Sequence, residues 1–277
     1  MTARPTHLVT GANVGIGLAI ARGLAVAEPH AHVVLVCRDR AKGEAAQRAL
    51  LEGLGETAQR PSTELLIVDL SSQRSIRSAA ATFAEKHSSL DVLVNNAAVA
   101  PDARQESVDG IELTWATNVL GYHLLTSLLE PLLERAAAAR VVNVASMMAG
   151  GLDVTDVEWK RRRYDTSAAY AQSKQANRML TWQLARRLTR TGTRVTANAL
   201  HPGAVDTRLL HALIPGMRGR TTSKGAETAV WLATSADVAG MTGRFWSDLC
   251  ETPCAFHDEK AEDQLFALCE RMTAAAA

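Results

Sequence analysis

Short β-branched apolar runs alternate with longer helical patterns along almost the whole chain, and this alternation restricts the fold more than any other feature. The runs are His7–Thr10, His32–Cys37, Glu64–Val68, Val92–Asn95, Arg140–Ala145, Arg194–Leu200 and Gly243–Trp246. Helical stretches begin near Gly15, Ala41, Ser72, Ser107, Ala168 and Ser223, and Glu259–Met272 follows the last run. Runs apolar on both faces, separated by helix-length crossovers, imply a parallel sheet covered on both sides. Right-handed crossovers then predict a doubly wound α/β fold: a seven-stranded parallel sheet of order 3-2-1-4-5-6-7 with helices on both faces. A ligand crevice is expected where the strand order reverses, between strands one and four. No linker, repeat or low-complexity tract interrupts the pattern, so one Rossmann-type domain is expected over residues 1–277.

Hydrophobic residues make up 47% of the chain, enough to bury such a sheet. Thirty Lys and Arg against 29 Asp and Glu give no strong field, so neither nucleic acid nor an anionic membrane is an expected partner. No uncharged apolar run reaches the roughly 18 residues a spanning helix needs, and Met1–His7 has no secretory pattern. Cys37, Cys250, Cys254 and Cys269 lack the second Cys/His pair of a zinc site and read as free thiols of a cytoplasmic protein. No metal is expected.

Thr10-Gly11-Ala12-Asn13-Val14-Gly15-Ile16-Gly17 follows the first strand directly and opens the first helix. Gly11 suits a tight reversal, Gly15 lets backbone approach a pyrophosphate, and Gly17 permits close helix–sheet packing. The helix N-terminus offers free N–H groups and a positive dipole end to phosphates. In strand–turn–helix context the pattern indicates a dinucleotide. The second strand ends Cys37-Arg38-Asp39, with no carboxylate at the position that holds the 2′-hydroxyl of NAD. Arg38 there is suited to a 2′-phosphate, so NADP(H) is preferred over NAD(H). Asp39 is a competing carboxylate, and a solvated loop arginine is the alternative for Arg38.

Further motifs follow in order: Asn95-Asn96-Ala97-Ala98, Ser146, and Tyr170-x-x-x-Lys174. Together with Asp69, Asn118 and Pro202-Gly203 they make the chain resemble the short-chain dehydrogenase/reductase family from about Thr6 to Trp246. Cys37-Arg38-Asp39, Asn118-Val119-Leu120-Gly121 and the run Ala169–Asn177 are similar to its retinol-dehydrogenase-like branch, as is the long Met147–Ser167 segment. Ala98 stands where the family has glycine, and Val14 where it often has a small hydroxyl residue.

The resemblance implies an NADP(H)-dependent oxidoreductase acting on CH–OH or C=O groups of a small apolar substrate. Tyr170 and Lys174, four apart on one helix face, are within mutual reach. A lysine ammonium beside the phenol, together with the positive charge of an oxidised nicotinamide, would favour phenolate and bring a pKa of about 10 toward the working range. By resemblance, Tyr170 is the general acid and base, Ser146 holds the substrate oxygen, and Lys174 also meets the nicotinamide ribose. Asn118 is the fourth catalytic member through a positioned water, with local backbone bonding as its alternative. Asp69 and Leu70 are assigned to the adenine, with a helix cap as the alternative for Asp69, Asn96 to the adenosine ribose, and Ala97 to the cofactor site. Pro202, Gly203, Val205 and Thr207 lie in a stretch assigned to the nicotinamide, and the glycine turn contributes Asn13, Val14 and Ile16 besides its glycines. Residues 204–222 read as a substrate flap with an apolar underside, a surface helix with core contacts being the rival.

His123 reads as a helix-surface residue. A homo-oligomer is expected because Ser107–Arg135 and Ala168–Arg190 correspond to the family's dimer-forming helices. A dinucleotide-binding redox sensor or scaffold without turnover is the alternative function. A nucleotide-sugar epimerase or dehydratase ranks low, since little chain follows Trp246.

Overall fold

Within each strand, successive side chains point to opposite sides of the sheet, so a chain of apolar strands demands a helical layer on both sides. The computed structural model describes residues 4–54 and 61–274 and contains both layers. Its elements run β1 (Thr6–Thr10), α1 (Gly15–Ala27), β2 (His32–Cys37), α2 (Arg40–Gly53), β3 (Ser62–Ile67), α3 (Gln73–Lys86) and β4 (Val92–Asn95). They continue with α4 (Leu113–Trp115), a π-helical turn (Ala116–Leu120), α5 (Gly121–Arg135), β5 (Arg140–Val144), α6 (Thr166–Arg190) and β6 (Thr196–Leu200). The last are α7 (Arg208–Leu213), α8 (Thr222–Thr234), β7 (Phe245–Ser247), β8 (Cys250–Glu251) and α9 (Glu259–Thr273). Leu8, Val34, Val36 and Leu66 face a core completed by α3, α5 and α6, whereas Val9, Val33, Leu35 and Val94 face α1, α2 and α8.

The sheet order is β3-β2-β1-β4-β5-β6-β7-β8. The doubly wound class and the first seven positions agree with the sequence reading, but the sheet has eight strands and is not wholly parallel. β8 pairs antiparallel to β7 through Trp246↔Glu251 and Ser247↔Cys250. Two residues are too few to show a periodicity. The turn between the strands places Asp248 and Leu249 at φ 47° and 64° without glycine, so the usual hairpin signal is missing. The helix expected near Ser107 begins instead at Leu113. Ser107–Ile111 folds back as a turn, and the buried Glu112 carboxylate accepts from the N–H groups of Thr114 and Trp115.

A third apolar cluster joins Trp115, Val119, Met179 and Trp182 to Leu265 and Cys269 of α9. α9 therefore lies on α6, covering part of the face that the resemblance gives to a dimer. It also buries His123, whose Nε2 lies 2.7 Å from Glu270. That residue is not on the surface, because a helix distant in sequence packs over it. All four cysteines are free. Among the described residues, no helix is long and apolar enough to cross a membrane.

Arg186 of α6 bonds Glu262, whose side chain is fully buried, and Asp263 at 2.8 Å. Deleting the arginine strands a buried carboxylate, a loss of about 3–5 kcal/mol. Arg186→Ala should lower the urea midpoint accordingly and speed hydrogen exchange in α9 before the sheet. Unchanged exchange in α9 would contradict this account of how the helix is held.

Candidate active site

The crevice is built from a joint between two loops. The Thr10 hydroxyl donates to Val94 O at 3.3 Å and accepts from the N–H groups of Asn96 at 2.8 Å and Ala97 at 3.1 Å. Asn96 Nδ2 returns a bond to Thr10 O at 2.8 Å. These contacts lock the end of β1 to the end of β4, where successive crossovers leave on opposite faces of the sheet. The glycine turn is packed into the same joint. A Cβ on Gly17 would lie 2.2 Å from Gly11 O, and one on Gly11 would lie 2.9 Å from Ala97 Cα. Gly15 has φ +62°, the left-handed region that side chains disfavour. Val14 occupies the cap position of α1 and offers no side-chain hydrogen bond, so the first-turn N–H groups face the crevice without a side-chain acceptor.

A crevice of ≈ 860 Å³ spreads from this turn across the carboxyl ends of the strands. It is lined by Gly11, Asn13, Val14, Gly15, Ile16, Gly17, Arg38, Asp69, Leu70, Asn96 and Ala97. Ser146, Tyr170, Lys174, Pro202, Gly203, Val205 and Thr207 complete the sequence-predicted set on the same walls.

Asn118 is the exception. It sits on the π-helical turn, fully buried, one layer behind the wall. Its Oδ1 accepts from Val99 N at 2.9 Å, and its Nδ2 donates to Val99 O at 3.0 Å and Ser173 Oγ at 3.2 Å. It thereby fixes Val99, which does line the crevice.

At the end of β2, the buried Cys37 thiol donates to Asp39 O at 3.2 Å, and Asp39 caps α2 by accepting from Lys42 N at 3.0 Å. Arg38 between them is exposed and has no hydrogen-bond or ion-pair partner among the described residues. Asp69 Oδ1 accepts from Ser71 N and Oγ at 3.0 and 2.7 Å, while Ser72 rather than Asp69 caps α3.

Tyr170 and Lys174 lie one turn apart on α6, both buried. Lys174 Nζ donates to Val144 O at 2.8 Å and stands 5.4 and 5.5 Å from the ring centres of Tyr122 and Tyr170. Burial pulls the lysine down to about 7. Burial also pushes the Tyr170 phenol up to about 12, against a hydrogen bond from Ser146 that lowers it. The expected lowering of the phenol by Lys174 is thus not what the protein's own atoms produce. Desolvation penalises both charged forms, and the ammonium is held on a carbonyl rather than against the phenol oxygen.

Arg178 went unnoticed in the sequence, although it continues the 170–174 spacing by one more turn. It donates to Ser146 O and stacks its guanidinium 3.7 Å from the Phe245 ring centre, so it holds the serine loop against β7. Met147 and Met148 were likewise missed and supply apolar lining, beside Ile214 and Met217 of the 204–222 stretch. Residues 204–220 close at their base through Asp206 N to Arg220 O at 2.9 Å and Arg220 N to Ala204 O at 2.8 Å. No residue of α7 is buried in a core, and Leu209, Leu210 and Leu213 face the crevice.

Comparison with known proteins agrees with this geometry. Residues 5–217 match the family model described as short chain dehydrogenase. Retinol dehydrogenase 13 of Homo sapiens is 36% identical over 285 residues, covering 96% of this chain and 84% of the relative. The crystal structure of an uncharacterized protein from Mycobacterium paratuberculosis superposes with a TM-score of 0.78 at 33% identity, covering 98% of this chain and 94% of that one. A candidate NAD(P) dependent gluconate 5-dehydrogenase from Beutenbergia cavernae, solved with NADP bound at low occupancy, gives 0.69 at 30% identity, covering 88% and 94%.

The lysine has a consequence for stability. An unfolded lysine keeps its proton to about pH 10.4, whereas folded Lys174 releases it near 7. The unfolded chain therefore binds more protons between those values, and this group's destabilising effect is full below pH 7 and fades as pH rises toward 10. Lys174→Met should melt roughly 5 °C above the parent at pH 7, with the gap narrowing by pH 10. Parallel melting curves across that range would refute the assignment.

Proposed function

This chain belongs to the short-chain dehydrogenase family, in its retinol-dehydrogenase-like branch, and on that premise we propose how its residues divide the reaction. It is an NAD(P)-dependent oxidoreductase acting on alcohol and carbonyl groups. We propose NADP(H) as the cofactor, a small apolar alcohol or carbonyl compound as the substrate, and Tyr170 as the group that gives and takes the proton. The observation that carries this reading is that Tyr170, Lys174 and Ser146 share the wall of a crevice that begins at the close-packed glycine turn.

The residues present suit a dinucleotide. A diphosphate would meet the uncapped N–H groups of α1, where the helix dipole favours negative charge. Arg38 has its charge free for a 2′-phosphate, while Asp39, the carboxylate that would oppose one, is engaged as a helix cap. The Beutenbergia relative's bound NADP supports the same choice. When bound, the cofactor supplies or accepts the hydride.

In the reducing direction the buried phenol is protonated at neutral pH, as a donor to a carbonyl oxygen must be. The Ser146 hydroxyl donates to the same oxygen and stabilises the charge that builds there. Lys174, brought down to about 7 by burial, is assigned to the nicotinamide ribose and, one helical turn from the phenol, to relaying protons to it indirectly. Asn118 acts as a positioning residue through Val99. Residues 204–222 form a flap over the substrate, hinged on the backbone bonds at its base, with the leucines of α7 underneath. The single sheet supports a one-domain reading, and four free thiols suit the cytoplasm.

Purified protein should oxidise NADPH in the presence of apolar aldehydes or ketones. Tyr170→Phe should lower kcat by about 10²-fold or more while leaving NADPH affinity within about threefold. Turnover surviving in that variant would sink the proton-donor role. Arg38→Ala should weaken NADPH by about tenfold and spare NADH; equal losses for both would remove the 2′-phosphate assignment.

A further inference from the structure

At the edge of the sheet away from the crevice, three side chains from three elements converge. His32 opens β2, Glu64 lies in β3, and His87 caps the C-terminus of α3. Glu64 Oε2 receives both imidazoles, with His32 Nε2 at 3.2 Å and His87 Nε2 at 2.9 Å. One ligand atom from each residue lies within 4.8 Å of the others.

We propose that His32, Glu64 and His87 form a binding site for a divalent transition cation of the zinc type. Zinc takes histidine nitrogen at about 2.0–2.1 Å and carboxylate oxygen at about 2.0–2.2 Å, which sets neighbouring ligand atoms of a tetrahedron about 3.4 Å apart. The observed separations of 3.2 and 2.9 Å need widening by only a few tenths of an ångström on that scale.

The surroundings hold the donors in place. His32 Nδ1 is 2.8 Å from Ser62 Oγ, an acceptor for an Nδ1 proton, so with a cation bound the Nε2 lone pair can turn to the site. The His87 ring stacks on Phe83 at 4.3 Å. Lys86 Nζ takes the other Glu64 oxygen at 3.1 Å, which orients Oε2 toward the imidazoles. All three ligands are half-buried, and three protein ligands leave the fourth position to water.

The backbone positions are fixed by pairing. His32 pairs with Ser62 and Val34 with Glu64, so His32 and Glu64 share one face of adjacent strands. A cation there would tie the outermost strand β3 to β2 and to α3. The site would take no part in hydride transfer, since these strands present their carboxyl ends, not this edge, to the crevice.

Chelator-treated full-length protein is dialysed at pH 7.5 against micromolar Zn²⁺ with millimolar Mg²⁺, and retained zinc is measured by atomic emission. The parent should retain about one equivalent, and Glu64→Gln and His87→Gln should lose at least about tenfold in affinity. Affinity should also fall at pH 5.5, because protonated imidazole cannot ligate. Zinc should raise the parent's melting temperature by about 5 °C at a hundredfold excess over Kd and leave the variants unmoved. In the parent, zinc should shift the imidazole proton resonances of two histidines out of eight, a readout that does not depend on a variant folding. Equal zinc retention by parent and variants, no retention, or histidine resonances unmoved by zinc would overturn the proposal and leave an ordinary ion-pair cluster.

Discussion

The Thr10 hydroxyl is the joint on which the crevice depends. In a doubly wound sheet the crossovers leave β1 and β4 in opposite directions, so their carboxyl ends have no helix packed between them. Left to themselves, two loops at such a place would carry unpaired backbone N–H groups. One hydroxyl, donating to Val94 O and accepting from the N–H groups of Asn96 and Ala97, satisfies them and sets the separation of the loops. The glycines follow from that closeness. Gly11 and Gly17 are squeezed between the Asn96–Ala97 loop and the turn itself, so any side chain would part the two strands. The exposed N–H groups at the start of α1 thus face a turn that tight packing at the switch point keeps free of bulk.

Burial governs the second half of the crevice. The α6 helix carries Tyr170, Lys174 and Arg178 at successive turns, and each reaches a different part of the wall around β5. Lys174 reaches Val144 O, Arg178 reaches Ser146 O, and Tyr170 lines the same crevice as Ser146. Desolvation pushes the phenol and the amine in opposite senses, toward the neutral form of both. A neutral pair costs the core far less than an ion pair would, and it leaves the phenol as a donor. Favouring phenolate would need positive charge brought into the crevice from outside the chain.

Most of the fold was legible because parallel strands buried on both faces read as unbroken apolar runs, and the glycine turn and Tyr-x-x-x-Lys each lie within one or two adjacent elements. What escaped was set by contacts across long sequence separations or by conformations without a residue signature. The β7–β8 hairpin turns on Asp248 and Leu249 at positive φ, which no glycine or asparagine announces. His123 is covered by α9, about 140 residues later in the chain, so its helix pattern alone suggested a solvent face. Asn118 bonds Val99 from a π-helical turn, and both that partner and that backbone belong to tertiary structure. The lowered phenol was expected from the lysine together with an oxidised nicotinamide, and the chain's own atoms supply only the first. Spacing along a helix reports that two groups are near, while the sign of a pKa shift depends on how much water each has lost.

The same distinction separates the two ends of the sheet. At the carboxyl ends, polar side chains are spent on backbone atoms: Thr10, Asn96, Asn118 and Lys174 all bond main-chain groups, which makes the wall rigid. Residues 204–220 instead face the crevice with leucine, isoleucine and methionine side chains. A rigid polar wall facing an adaptable apolar one suits a reaction in which the reacting oxygen must be held closely and the body of the substrate need only be excluded from water. Ser146 and Tyr170 stand on the first wall, and the apolar segment opposite bounds the space left between them.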